Sequence, residues 1–161
     1  LNLFPYDSET FVSTLSKEEV LGHLNRVTQE VNFLDQRTLA KGDKVFNGIV
    51  GKRGFRISKI VGRADTFLPL ILGNVESTAR GSIIFINYRL FPGALFFLGF
   101  WSIILIAFSA FYLFILPNYG YAVLCISLAL INYLTAMFFF NRQVKQSRKV
   151  FYQLINFQMK D

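Results

Sequence analysis

The chain reads as a membrane α+β protein: a strand, a helix and a four-strand antiparallel sheet, then a transmembrane helical hairpin and an amphipathic C-terminal helix. Three observations predict this. No Asp, Glu, Lys or Arg occurs between residues 90 and 141. Upstream, the helical spacing of residues 20–31 gives way to short Ile-, Val- and Phe-rich runs separated by glycine turns. Downstream, apolar residues return at helical spacing with Arg and Lys between them.

Residues 9–15 have the composition of a first strand. Ser16 then stands three residues before Glu19, a capping box, and Val20, Leu21, Leu24, Val27 and Val31 continue at helical spacing, which predicts a helix over 17–31. A polar connector over 32–43 ends in Lys41-Gly42-Asp43. Four strands are expected at 45–51, 54–61, 67–75 and 81–90, with turns at Lys52-Arg53-Gly54, Gly62-Arg63-Ala64-Asp65 and Ser77-Thr78-Ala79-Arg80-Gly81. Pro69 places the third of these at an edge or a bulge, because proline cannot donate to a ladder.

Pro117-Asn118-Tyr119-Gly120 is a turn signal that divides the uncharged segment. Its halves, about 91–116 and 121–140, each suffice to cross a hydrocarbon layer of about 30 Å, which takes about 20 apolar residues. Tyr88 and Arg89 before the first span, Tyr119 and Tyr121 at the turn, and Arg142 and Lys145 after the second are placed to anchor at the membrane interface. Asn132 is the one strongly polar side chain near mid-span. It is expected to face another helix, with Ser102 as its candidate partner. The second span is expected to continue as a tail helix to about residue 157, with Val144, Phe151, Leu154 and Ile155 as its stripe. Such a helix can return onto the sheet, as in pleckstrin-like or helix-grip domains. The domain division is 1–89, 90–141 and 142–161.

The 161 residues carry 17 Lys and Arg against 10 Asp and Glu, a net charge of +7. That balance is split: 12 basic and 9 acidic residues lie up to Arg89, and Arg142, Lys145, Arg148, Lys149 and Lys160 face only Asp161 in the tail. Both flanks are basic and the loop between the spans is uncharged, so the positive-inside rule puts the N-terminal domain and the tail on the cytoplasmic side. Basic residues beside spans meet anionic headgroups, which explains the charge without nucleic acid.

Catalytic signatures are missing. His23 is the only histidine and Cys125 the only cysteine, so neither a metal cluster nor a Ser-His-Asp triad has spacing support. Histidine-ligated haem or pigment within the spans is ruled out, no cofactor is expected, and no phosphate loop occurs among the glycines. The sheet region is locally basic at Arg53, Arg56, Lys59 and Arg63, a candidate contact for headgroups or an acidic partner.

Phe46-x-Gly48, Gly54-Phe55-Arg56-Ile57-Ser58, Thr66-Phe67-Leu68-Pro69 and Gly73 resemble a group of uncharacterised bacterial two-span membrane proteins with a small soluble domain before the hairpin. The resemblance covers roughly residues 15–140. It implies a bacterial origin and the inner, or an equivalent energy-transducing, membrane, and it assigns no activity. The expected function is a non-catalytic accessory or scaffolding subunit of a larger membrane complex, with lipid and other subunits as partners. The alternative is a membrane-tethered module that binds anionic headgroups or a small apolar ligand.

Overall fold

The computed structural model describes residues 4–30, 44–61 and 67–157. Nine elements follow in the order β1 (Tyr6–Ser13), α1 (Lys17–Val27), β2 (Thr28–Gln29), β3 (Phe46–Val50), β4 (Gly54–Lys59), β5 (Pro69–Thr78), β6 (Gly81–Leu90), α2 (Pro92–Phe114) and α3 (Tyr119–Phe157). The strands form one six-stranded mixed sheet, ordered β1-β6-β5-β4-β3-β2, in place of the expected four-strand antiparallel sheet. Two strands enlarge it. β1 joins the edge of β6 antiparallel, and the two-residue β2 runs parallel to β3, so the chain leaves α1 directly into the sheet at Thr28 instead of continuing as helix. The connector over 32–43, the turn at 62–65, Val31 and the side chain of Ile155 lie outside the described residues.

α1 begins as its sequence predicts. The Glu19 amide donates to Ser16 Oγ and the Ser16 amide donates to Glu19 Oε2, and this bond to the Ser16 amide holds the Glu19 carboxyl below its usual range. At its other end the Lys44 ammonium donates to the carbonyls of Arg26 and Thr28. A cation there satisfies carbonyls left open at a helix C-terminus.

Pro69 lies in a central strand, which corrects the edge assignment. It is the first residue of β5 and pairs with Leu90, while the partnership with β4 begins only at Ile71 opposite Ile57. The missing N–H therefore costs no interior ladder bond.

One face of the sheet carries the core. Strand alternation turns Phe55, Ile57, Ile71, Val75, Ile84, Ile86 and Tyr88 to the same side, where Val20, Leu21 and Leu24 of α1 and Met137, Phe140, Val144 and Phe151 of α3 cover them. The tail helix thus spends its apolar stripe on its own sheet. Phe151 stacks on Phe55 at 5.7 Å and meets Phe11 edge-on at 6.2 Å, spanning strands β1 to β4. Gly73 makes this possible. A Cβ there would stand 2.0 Å from the Phe55 ring, which lies flat over the glycine.

α2 and α3 pair as an antiparallel hairpin of two helices long and apolar enough to cross a membrane. Asn118 Oδ1 caps α3 by accepting from the Tyr121 amide. Ala122, Ala129 and Ala136 are buried at heptad spacing along α3, so small side chains let the two backbones approach. α3 is a single helix of 39 residues, about 58 Å long at 1.5 Å per residue. Its first half forms the hairpin and its second half lies on the sheet.

Candidate groove at the foot of the hairpin

The face of the sheet opposite α3 bears the most distinctive surface. Cross-strand register sets two adjacent rows there. Arg56, Leu72, Asn87 and Ser8 form one, and Leu70, Arg89 and Tyr6 form the next. Both rows lie at the end of the sheet where β6 passes into α2. Arg56, Leu72, Leu70, Arg89 and Tyr6 of these rows, with the chain at Pro5, Leu90, Pro92 and Leu95, line a groove of about 640 Å³. Its floor is apolar, and both its charged side chains are arginines. The Arg89 guanidinium stands 5.4 Å from the Tyr6 ring centroid, and the Tyr6 hydroxyl donates to Asn87 Oδ1 at 2.7 Å. Those contacts hold the Tyr6 ring as one wall. Among the described residues, ion pairs are made by Arg148 alone, so Arg56 and Arg89 face the groove without a carboxylate.

Of the four basic residues singled out from sequence, Arg56 is the one that lines the groove among the described residues. Arg53 sits in the β3–β4 turn, its carbonyl accepting from the Val75 amide. Val75 pairs with Ile84, six residues from Leu90, so Arg53 is about 20 Å from the groove end at 3.3 Å per residue. Lys59 pairs with Phe46 and has the parity of the opposite face. Arg63 is outside the described residues. Arg89, read from sequence as a simple interface anchor, is instead the residue that joins Arg56. They stand on β4 and β6, the two strands that flank β5, one row apart in register, and no local motif marks this.

Tyr88 is not at the surface. It is fully buried beneath α3, because its parity is that of Ile86 and Ile84. Its hydroxyl donates to Glu9 Oε1 at 2.6 Å. Burial, with that bond to Glu9, pushes the Tyr88 phenol well above its ordinary range. Arg148 of α3 lies over the same ring, 5.8 Å from its centroid. Its Nη2 donates to Asp7 Oδ2 at 3.0 Å, while its Nε approaches Glu9 Oε2 at 2.7 Å, off the N–H axis and therefore as a charge contact. Burial alone would lower the Arg148 pKa, but the Glu9 and Asp7 charges outweigh it and raise it. This network fastens the tail helix to β1.

Of the remaining expected sites, Tyr119 and Tyr121 are exposed where α2 turns into α3, with Tyr121 packed on Tyr112 at 5.3 Å. Arg142 and Lys145 are exposed on α3. In the hairpin the serine that bonds across is Ser109, whose hydroxyl donates to the Ala122 carbonyl at 3.0 Å. The Ser102 hydroxyl goes to Leu98 of its own helix at 2.7 Å. Both helices advance equally per residue, so the Ser109–Ala122 bond puts half-buried Asn132 level with Gly99 and Ser102 level with Ala129.

No protein-family model, curated protein or solved structure matches this chain.

Proposed function

We propose that this chain is a non-catalytic accessory subunit of a larger membrane assembly: a small platform carried by a two-span anchor. The carrying observation is the single helix α3, 39 residues without interruption, which packs on α2 in its first half and on the sheet in its second. A hinge between anchor and domain would need a break there. Instead Phe67 of the sheet domain stacks on Phe139 at 5.8 Å, close to where the uncharged segment ends. The domain is thus held in one orientation on the hairpin, which suits a part that positions something else.

Exposure supports the membrane reading. Only 17% of the apolar window of α2 and 22% of that of α3 is buried, whereas a helix in the core of a soluble protein is apolar because it is covered. The charge distribution favours a cytoplasmic sheet domain and tail, and the resemblance noted from sequence favours a bacterial inner or equivalent membrane. Purification from native membranes in mild detergent, followed by sizing, is the test. Recovery with other membrane proteins is expected, and recovery only as a free monomer overturns the assignment.

The groove favours a second and compatible reading, a membrane-tethered module that recognises anionic lipid headgroups.

A further inference from the structure

We infer that the groove between Arg56, Arg89 and Tyr6 is a binding site for one anionic phospholipid, with its phosphate between the two guanidiniums and an acyl chain running down α2. The inference rests on the reading of α2 and α3 as membrane-spanning and deepens the headgroup reading by naming the residues and the ligand class.

Three features converge on this ligand. The first is charge: two arginines one row apart, both unpaired with carboxylates among the described residues, line a groove whose described walls hold no acidic side chain. Guanidinium groups bind phosphate oxygens through paired N–H donors. The second is the apolar floor of Leu70, Leu72 and Leu95, which a free inorganic anion would not use. The third is continuity. Leu95 lines the groove and is also exposed on the first turns of α2, beside the more exposed Phe96, so the groove opens onto the exposed apolar surface of that helix. A phospholipid alone matches a phosphate site at the membrane surface joined to an apolar track leading into the bilayer. Arg89, at the last-but-one position of β6, sits at the level where a headgroup would stand.

The test uses the full chain, purified in mild detergent and equilibrated with phosphatidylglycerol, phosphatidylcholine or diacylglycerol, with retained lipid counted per protein by native mass spectrometry. Phosphatidylglycerol is expected to be retained at least about tenfold over diacylglycerol, which lacks the phosphate, as two charge-assisted contacts imply, and also over zwitterionic phosphatidylcholine, whose choline cation is repelled by the two arginines. Arg56→Gln with Arg89→Gln is expected to abolish that preference, while Lys52→Gln with Arg80→Gln, exposed basic residues in the turns at the far end of the sheet, leaves it intact. Millimolar inorganic phosphate is not expected to displace the lipid. Leu72→Trp, which fills the floor and keeps both arginines, is expected to remove retention as well. Equal retention of all three lipids, unchanged preference in the folded arginine variant, or displacement by phosphate alone overturns the proposal. Detergent phase partition of the same samples reports separately on the hairpin: protein in the aqueous phase overturns the membrane reading, whereas inserted protein with unaltered lipid preference in the variant overturns the groove alone.

Discussion

Arg148, near the end of α3, stands 2.7 Å from Glu9 on the first strand of the chain. The two residues are 139 positions apart, and their contact closes the sheet domain across the intervening hairpin. The pair is partly shielded, with about a third of the Arg148 side chain exposed, so its worth falls between that of surface and buried ion pairs. Arg148→Leu is expected to destabilise the domain by about 1–3 kcal/mol, since Glu9 and Asp7 are left facing each other without a cation. A double-mutant cycle with Glu9→Gln in chemical denaturation should show coupling between the two sites. Strict additivity would mean that the network adds nothing to the apolar packing around it.

Tyr88 gives a pH signature. Its folded-state pKa is raised by burial and by Glu9, whereas a tyrosine in the unfolded chain ionises near 10. The unfolded chain therefore releases this proton first as pH rises. The stability linked to Tyr88 is complete below about pH 10 and is lost above it, at up to about 1.4 kcal/mol per pH unit. Thermal unfolding of the wild type between pH 9 and 11 should fall more steeply than that of Tyr88→Phe, and parallel curves would contradict the assignment.

The extent to which the sequence announces this fold depends on the range of the interaction. The capping box at Ser16 and Glu19, the turn at Asn118 and the β5–β6 hairpin are local, and their residues specify them. β2 is too short to carry a period. β1 is announced by the strand composition of residues 9–15, but its place is not: it joins the sheet because β6 offers an edge. The burial of Tyr88 has the same cause. Next to Arg89 and the first apolar helix it has the composition of an interface tyrosine, and only the parity set by Ile84 and Ile86 turns it inward. The groove is still less visible, since Arg56 and Arg89 meet through register across β5.

Phe55, Gly73 and Phe151 should behave as one unit. Gly73→Ala puts a methyl group where the Phe55 ring lies, and the ring must leave its stack on Phe151 to admit it. A cost of about 1–3 kcal/mol is expected for this overpacking. Phe151→Ala opens a cavity beneath four strands and should cost about 3–5 kcal/mol. If Gly73→Ala is neutral in the wild type, the ring can tilt without loss and the glycine is not required. If it is costly in the wild type but mild in Phe151→Ala, the stack is the reason.

The hairpin contact between Ser109 and Ala122 predicts a modest effect. Ser109→Ala removes one interhelical hydrogen bond, worth about 0.6 kcal/mol and at most about 1.7 in a membrane. Asn132→Leu should lie in the same range if its amide bonds across toward the backbone near Gly99, the residue at its level. Steric trapping or unfolding of the full chain in detergent would measure both. A large loss for Asn132→Leu, together with disassembly of a purified complex, would place the amide against a neighbouring subunit instead.

The orientation of the hairpin can be decided by thiol labelling, and the structure determines which positions are informative. Cys125 is half-buried in α3 and is replaced by alanine so that it gives no background. Asn118 at the α2–α3 turn is exposed, and Asn118→Cys should react in intact cells with an impermeant reagent, because the uncharged loop is the part expected outside. The second position must lie on the tail yet be accessible once the membrane is opened. Ser147 is unsuitable: it is fully buried between α3 and the sheet, so a cysteine there would stay silent on either side. Lys149 is exposed two residues further on, and Lys149→Cys should remain unlabelled in intact cells and react fully after permeabilisation. Labelling of the tail position in intact cells, with protection of the turn position, would reverse the topology and place the sheet, its groove and both arginines outside.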